Sequence, residues 1–298
     1  MPIRRLAPHL SVLLLVINVG CAVSQENEIQ IGRESHEQFE QEFGGIYPDA
    51  TVQQYVNGVG MDMARYAGRP ELPWQFRVLN SEQINAFAVP GGYIYITQGL
   101  LFHLQNEAQL AGILGHEAGH IAHRHSVEQM QRAQGTQGVA VVADIVGGIF
   151  GVGGVGDVAG IVGSLSLMSY GRGQEKEADM SGLEYMTRSG YNPRGLVQAM
   201  EILQEAGGGG GGPDFLSTHP NPGNRIEYLS EAINDRYQRA SDSGDFGRDA
   251  FQDRVLDRRR RLSRLELLEL PSSWCALCRA RSTSPVASGE TELLHDVP

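Results

Sequence analysis

The sequence predicts an α+β protein, mainly α-helical, in which a small β-sheet lies beside one long helix. Apolar residues recur at helical spacing over several segments, whereas residues 74–97 contain short runs of apolar residues separated by turn residues. Hydrophobic residues make up 41% of the 298 residues, which is typical of a globular chain that buries a substantial core.

Two helices and three strands are predicted ahead of the long helix. The helices cover residues 25–45 and 51–66, and each shows apolar side chains at helical spacing. Alternation of apolar and polar residues predicts a strand over residues 74–79. Two further strands are predicted over residues 84–88 and 93–97, on either side of a Pro-Gly-Gly turn.

The rest of the chain is predicted to be mostly helical. Asn106 is a favourable N-cap for the long helix, which is expected to run to about Arg132. Three more helices are predicted over residues 175–188, 194–206 and 224–239.

Two glycine-rich segments interrupt these helices. Residues 138–168 consist mainly of Gly, Val, Ile and Ala, with Asp144 and Asp157 as the charged residues. Charges of this kind are costly inside a bilayer, so two short apolar helices packed on the long helix are favoured over a membrane hairpin. The six residues Gly207–Gly212 are predicted to be a flexible segment.

The charge of the chain is unevenly distributed. The formal net charge is −11, but residues 1–21 carry +2, residues 22–253 carry −15 and residues 254–298 carry +2. Nucleic-acid phosphates are bound by a surplus of Lys and Arg, so the acidic central part argues against nucleic acid as a partner.

The N-terminal segment has the organisation of a secretory signal. Two arginines precede an apolar run at residues 12–17, which is too short for a spanning helix of about 20 residues. The pair Gly20-Cys21 resembles the end of a bacterial lipobox, although Asn18 stands where that motif has Leu. Residues 1–20 are therefore predicted to be a signal peptide with Cys21 as the lipidation site, and ordinary signal cleavage is the alternative.

The long helix contains the pentapeptide His116-Glu117-Ala118-Gly119-His120, which matches the H-E-x-x-H pattern. Residues i and i+4 lie on the same face of a helix, so both imidazoles can reach one Zn²⁺ while Glu117 faces a metal-bound water. The sequence therefore predicts a catalytic site with one Zn²⁺ per chain and Glu117 as its base. Two histidines that only pack on an amphipathic helix are the alternative.

A catalytic zinc site needs a third protein ligand, and the helix that begins near residue 175 offers one. Glu175 and Asp179 lie at i and i+4 on one face, whereas Glu177 points elsewhere. Glu175 as a ligand, with Asp179 accepting a hydrogen bond from a ligand histidine, would complete the site. A solvated acidic helix start is the alternative.

Several motifs together resemble the HtpX and CAAX-prenyl-protease family of zinc metallopeptidases, especially its exported BepA-like branch. They span about residues 25–254 and are Asn85-Ala86-Phe87-Ala88, Pro90-Gly91-Gly92, Gly99-Leu100-Leu101, the H-E-x-x-H pentapeptide, Arg124-His125-Ser126, Glu175-x-x-Ala178-Asp179, and Ser217-Thr218-His219-Pro220 with Arg225. The resemblance implies a zincin-like (gluzincin) fold.

The resemblance also implies roles for individual residues. His116, His120 and Glu175 would be the zinc ligands, Glu117 the base and Asp179 a supporting residue. His219 looks like the extra histidine of the family, which lies near the metal and regulates or assists it, and Arg225 lies beside it. Because Gly207–Gly212 gives the segment before His219 freedom, we expect His219 to fill the fourth zinc position as well and keep the enzyme latent until substrate arrives. His123 is interpreted as a rim or packing residue, and His125 as a residue that braces the end of the long helix.

Substrate and partner predictions follow in part from the resemblance. The backbone of an extended substrate is expected to add to a sheet edge, formed either by Asn85, Ala86, Phe87 and Ala88 or by residues 93–97. The helical repeat domain of BepA has no counterpart in the pattern after Arg254, so the identity of a partner is not carried over. Cys275 and Cys278 are interpreted as a pair without an assigned role.

The sequence thus predicts an exported zinc metalloendopeptidase, with a catalytic domain over residues 21–255 and a disordered tail over residues 256–298. The resemblance implies a role in protein quality control, with misfolded or misassembled envelope proteins as substrates. The expected location is the periplasm of a Gram-negative bacterium, on the outer membrane through the lipid at Cys21. A periplasmic chaperone or assembly factor with a latent or structural zinc site is the alternative.

Overall fold

The computed structural model describes residues 23–136, 169–207, 214–219 and 222–261. The predictions for the signal peptide, Cys21, the apolar segment at residues 138–168 and the two C-terminal cysteines lie outside these residues, as does most of the glycine run. Within the described part, no helix is both long enough and apolar enough to cross a membrane.

The described residues form a mainly helical structure with one three-stranded sheet, which confirms the predicted fold class. Its helices and strands, in chain order, are α1 (Gln25–Glu42), α2 (Ala50–Ala64), β1 (Gln75–Leu79), β2 (Ala86–Val89), β3 (Tyr93–Thr97), α3 (Gln98–Leu101), α4 (Glu107–Ala122), α5 (His125–Thr136), α6 (Arg172–Arg188), α7 (Arg194–Gly207), α8 (Asp214–Thr218), α9 (Pro222–Arg236), α10 (Gln238–Ser243) and α11 (Arg248–Phe251), followed by a π-helical turn (Gln252–Leu256).

Short polar side chains begin three of the longer helices. The hydroxyl of Ser24 accepts a hydrogen bond from the backbone of Asn27 at the start of α1. Asp49 accepts from two backbone N–H groups at the start of α2. At the start of α4, the side chain of Asn106 accepts from the backbone of Gln109, so the predicted N-cap of the long helix is present.

The strand order in the sheet is β1-β3-β2, with β3 parallel to β1 and antiparallel to β2. Because β3 is paired on both sides, the alternative that residues 93–97 form a free edge is wrong. The edge strands are β1 and β2, and β2 contains Ala86, Phe87 and Ala88. The turn between β2 and β3 places Gly91 and Gly92 at φ values of 85° and 100°, where residues with a side chain are strained.

The sheet is covered by helices on both faces. On one face, Phe39 of α1 packs with Phe87 and Tyr95. On the other face, apolar side chains of β1, β2 and β3 join α2 and α4 in the main core. The helix α4 is therefore buried along nearly its whole length, and its two histidines have a rigid base.

The predicted continuation of the long helix to Arg132 is wrong, because α4 ends at Ala122 and α5 begins at His125. Between them, Arg124 has a φ of 59°, the one positive value at a non-glycine residue in the described ranges. A residue in this left-handed region redirects the chain and ends the helix.

Two glycines allow α4 and α6 to pack closely. A Cβ atom at Gly119 would lie 2.9 Å from the backbone of Ala178, and one at Gly182 would lie 3.1 Å from the backbone nitrogen of His116. Side chains at either position would push the helices apart. The close crossing brings the first turns of α6 against the histidine face of α4.

The C-terminal part of the described chain packs back on the helical domain. Residues 257–261 continue as a helix past the π-helical turn. In this helix, Nε of Arg258 donates to Asp49, the N-cap of α2, at 2.7 Å. The predicted domain boundary at residue 255 remains a prediction, since most of the predicted tail lies outside the described residues.

Candidate metal centre

Two helices place three of the predicted zinc ligands together. On α4, the Nε2 atoms of His116 and His120 lie 3.0 Å apart, and both side chains are buried. On α6, Oε1 of Glu175 lies 3.4 Å from Nε2 of His120, and Oε2 lies 3.9 Å from Nε2 of His116. Two imidazoles on successive turns of α4 therefore meet one carboxylate from the start of α6.

His219, which follows α8, is the fourth member of this cluster. Its Nδ1 atom lies 2.9 Å from Oε1 of Glu175 and 3.3 Å from Nε2 of His116. One donor atom from each of the four residues lies within 4.8 Å of the other three. The prediction that an extra histidine lies near the metal ligands therefore agrees with the structure.

The donor set fits a zinc ion. Zinc with bonds of about 2.0–2.1 Å in tetrahedral geometry has donor atoms roughly 3.3 Å apart, and borderline nitrogen and oxygen donors are its usual ligands. The separations of 2.9–3.9 Å between these donors bracket that value. Zn²⁺ is accordingly the cofactor of this centre, and His116, His120 and Glu175 could hold it, with His219 in reach of a fourth position.

Glu117 lies next to the cluster but is not one of the four donors. Its side chain is fully buried, and both carboxylate oxygens lack a hydrogen-bond partner among the described residues. The Nε2 atom of His219 lies 3.6 Å from Oε1 of Glu117. Burial raises the pKa of Glu117 above its ordinary value, although His219 and His116 oppose this effect. A carboxylate in this state is suited to accept and hold a proton.

Asp179 orients one of the ligand histidines. Its Oδ1 atom lies 2.8 Å from Nδ1 of His116, whose Nε2 atom faces the cluster. A proton on Nδ1 that is donated to this carboxylate leaves the lone pair on Nε2 free to bind a metal. This contact places Asp179 where it could set the tautomer of His116.

Arg225 of α9 neutralises the two carboxylates behind the histidines. Its guanidinium donates to both oxygens of Asp179 at 2.7 and 2.8 Å, and its Nη1 atom lies 2.7 Å from Oε2 of Glu175. Burial alone would raise the pKa values of both carboxyl groups. For Asp179, Arg225 and His116 hold the pKa below its ordinary value. For Glu175, His219, His120 and Arg225 have the same effect.

The charges around His219 favour its protonated form. Burial by itself would lower its pKa, but the carboxylates of Glu175 and Glu117 raise it above the ordinary value. For His120, burial is the dominant influence and the pKa lies well below its usual range. Burial thus disfavours the protonated form of His120, whereas the two carboxylates favour that of His219.

Three contacts in the site were not predicted from the sequence. The hydroxyl of Tyr228 donates to Asp179 in a short hydrogen bond. The ring of Tyr170 stacks on His120, with 3.8 Å between the ring centroids. The ring of His125, interpreted above as a brace for the helix end, contacts His120 directly. Tyr228 lies three residues after Arg225 on α9, so helical spacing could have identified it.

The remaining predicted residues lie around the centre rather than in it. His123 is partly exposed and contacts Ser181, in agreement with a position on the rim. Glu177 is exposed and is not one of the four donors. The side chain of Asn85 accepts a hydrogen bond from the backbone of Ala86 and lies at the start of β2, outside the ligand set.

The edge strand β2 lines a narrow cleft together with Tyr170, Thr218 and His219. The backbone N–H of Thr97 donates to the carbonyl of Asn85, which fixes the alternation of the β2–β3 ladder. By this alternation, the backbone groups of Ala86 and Ala88 point away from the sheet. Ser126 donates to the carbonyl of Ala88, and Asn85 accepts from Ala86. Among the described residues, the carbonyl of Ala86 and the N–H of Ala88 therefore have no hydrogen-bond partner and could pair with another strand.

Comparison with known proteins places all of these residues in one matched region. A family model described as Peptidase family M48 matches residues 50–233. This range contains the four donors of the cluster together with Glu117, Asp179 and Arg225.

The chain is also similar to individual proteins. It is 28% identical over 219 residues to the beta-barrel assembly-enhancing protease of Escherichia coli (strain K12), covering 70% of this chain and 44% of that protein. The protein of the same name from Yersinia pestis is 29% identical over 224 residues, covering 73% and 45%. Mitochondrial metalloendopeptidase OMA1 of Arabidopsis thaliana is 32% identical over 161 residues, covering 54% and 32%. The chain thus spans less than half the length of these relatives.

Proposed function

Because the chain belongs to peptidase family M48 and is a zinc metallopeptidase, we propose that it acts as an exported metalloendopeptidase on misfolded or misassembled proteins of the cell envelope. The family match agrees with the resemblance drawn from the motifs. The observation that carries the proposal is the buried carboxylate of Glu117, which has no hydrogen-bond partner among the described residues and lies beside a four-donor cluster.

The residues of the site have distinct tasks in peptide hydrolysis. When bound, zinc supplies a Lewis acid that polarises a carbonyl and lowers the pKa of water towards 7. Glu117 accepts the proton of the attacking water and passes it to the leaving amine. Asp179 and Arg225 hold His116 and Glu175 in place. His219, which retains a proton readily, is positioned to donate to the oxyanion of the substrate. Casein cleavage by the parent and by Glu117→Gln tests this assignment.

The proposed substrate class and location are supported by the relatives and by the N-terminal segment rather than by the geometry of the site. Two relatives that match at least 70% of this chain carry a name that refers to beta-barrel assembly. The N-terminal segment has the pattern of an export signal that ends in Cys21. We therefore assign the enzyme to the periplasm and propose an outer-membrane anchor through Cys21. The mass of the mature N-terminus measures whether Cys21 carries acyl chains.

Substrate recognition through the edge of β2 predicts that backbone methylation of a substrate has a strong effect at one position. In a peptide substrate, one N–H group faces the carbonyl of Ala86, so methylating that position should lower kcat/KM by about tenfold or more, whereas methylating the positions next to it should have little effect. Cleavage rates of a set of singly N-methylated peptides give the pattern. Equal effects at neighbouring positions would exclude strand addition at β2.

His219 is proposed to keep the site latent. Its Nδ1 atom lies among the other donors, at the position that a catalytic zinc site leaves to water. Replacing His219 with Ala should therefore open that position and raise the basal rate of casein cleavage. The exposed His103, replaced in the same way, serves as a control for general effects of losing a histidine. A lower rate in His219→Ala would show that the assisting role of this residue outweighs latency.

The four-donor cluster also favours a second candidate function. Zinc sites with four protein ligands are usually structural, so a chaperone or assembly factor with a structural or latent zinc site is consistent with this donor set. The two functions differ in their dependence on Glu117, which is not a donor. A chaperone would suppress aggregation of an unfolded client equally well with Glu117→Gln, and neither protein would cleave casein.

A further inference from the structure

We propose that His125 is a positioning residue for the zinc ligand His120, and that an ion cluster around the buried Glu28 holds the turn that places it. The proposal rests on the zinc site of the proposed function but not on proteolysis. At the helix end between α4 and α5, contacts join residues of α1, α4 and α6.

His120 and His125 are in direct contact. The Nδ1 atoms of His120 and His125 lie 2.9 Å apart, and both side chains are buried. One of the two nitrogens must therefore donate and the other accept. On its opposite side, Nε2 of His125 lies 3.3 Å from Oε2 of Glu177.

These contacts define the proton positions. A carboxylate only accepts, so a proton on Nε2 of His125 is donated to Glu177, and Nδ1 of His125 is left as an acceptor. Nδ1 of His120 then carries the donated proton, and its Nε2 lone pair faces the cluster. His125 therefore does for His120 what Asp179 does for His116, and each ligand histidine has its own hydrogen-bond partner.

A turn at Arg124 brings His125 to this position. Arg124 adopts a φ of 59°, which costs about 1–2 kcal/mol for a residue with a side chain. Because the chain turns here, α5 begins at His125, and the ring of His125 contacts His120 of α4. A conformation of this kind persists where surrounding contacts hold it.

Glu28 of α1 provides those contacts. Its carboxylate is almost fully buried and accepts from Nε of Arg124 at 2.9 Å. Arg69 donates to both oxygens of Glu28 at 2.9 and 3.1 Å, and also to the carbonyl of Ile121 at 3.1 Å. Arg124 in addition donates to the carbonyl of Val23 at 2.5 Å. The segment that follows Cys21 is thereby tied to the last turn of α4 and to the turn after it.

Zinc affinity and the absorption spectrum of the Co²⁺-substituted protein test the proposal. His125→Phe should weaken zinc binding, measured by competition with a chromophoric chelator, by about 10–100-fold and change the Co²⁺ spectrum. His125→Asn keeps a polar group near the position of Nδ1 and should restore affinity to within a few-fold of the parent. The exposed His103, replaced by Phe, is the matched control and should change neither readout.

Two further variants keep the test decisive. If His125→Phe does not fold, Glu177→Ala, at an exposed position, should still weaken zinc binding by freeing the tautomer of His125. Arg124→Ala loses the guanidinium but leaves a residue with a side chain at a φ of 59°, so it should also weaken zinc binding. Unchanged affinity in a folded His125→Phe or in Glu177→Ala would overturn the role of His125, and unchanged affinity in Arg124→Ala would overturn that of the ion cluster that holds the turn. If the variants change zinc affinity as expected but the parent protein cleaves no casein, only the proposed function is contradicted.

Discussion

Replacing Glu117 with Gln is expected to lower the rate of casein cleavage by about 10²–10⁴-fold, the range that a general base contributes. The amide has nearly the same shape as the carboxylate but cannot accept the proton of the attacking water. Because Glu117 is not one of the four donors, zinc content should stay at one per chain. Since the variant removes a buried carboxylate without a hydrogen-bond partner in the described part of the chain, its melting temperature should be equal or higher.

The matched control for this variant is Glu184→Gln. Glu184 lies on α6, is exposed and pairs with Arg188 on the same helix, so its replacement changes the net charge equally without reaching the cluster. Zinc content and cleavage rate should both match the parent. A Glu117→Gln protein that retains zinc and still cleaves casein at the parent rate would exclude Glu117 as the base.

Replacing Arg225 with Met is expected to produce the largest loss of stability. The substitution leaves the buried carboxylates of Glu175 and Asp179 without their cation, and breaking a buried ion pair in this way costs about 3–5 kcal/mol. Chemical denaturation of the zinc-free protein measures the difference directly. Bound zinc supplies positive charge near Glu175, so the zinc-loaded variant should lose less.

The effect of Arg225→Met should depend on pH in a defined direction. In the parent, Arg225 helps to hold the pKa values of Asp179 and Glu175 below their ordinary range. A carboxyl group with a lowered pKa stabilises the folded state above its unfolded pKa of about 4, and this stability is lost as the pH falls. The difference between parent and variant should therefore be largest near neutral pH and shrink below pH of about 4.

Arg236→Met serves as the control for both measurements. Arg236 is an exposed residue in the last turn of the same helix, α9. Its replacement should change stability by a few tenths of a kcal/mol at any pH. Equal losses in the two variants would show that Arg225 contributes through general surface charge rather than through the two buried carboxylates.

Much of the candidate site could be predicted from helical spacing alone. His116 and His120 at i and i+4, and Glu175 and Asp179 with the same spacing, each define one face of one helix. In the structure these two faces are turned towards each other, and Asp179 lies within hydrogen-bond distance of His116. Short-range patterns of this kind need no knowledge of the tertiary structure.

Other features depend on contacts between distant segments. The end of α4 was predicted ten residues too far along, because the sequence around Arg124 contains no glycine or proline to end a helix. The turn is instead held by Glu28 and by the carbonyl of Val23, about 100 residues earlier in the chain. The order of the strands, which makes β2 and not β3 an edge, is likewise a tertiary property.

Native mass spectrometry of the purified protein tests the central claim most directly, namely that His116, His120 and Glu175 hold the zinc ion of a peptidase. The parent and Glu117→Gln should each contain one Zn²⁺ per chain, whereas the double variant His116→Ala, His120→Ala should contain none. A parent without zinc, or a folded double variant that keeps one zinc ion per chain, would contradict the assignment of this metal centre.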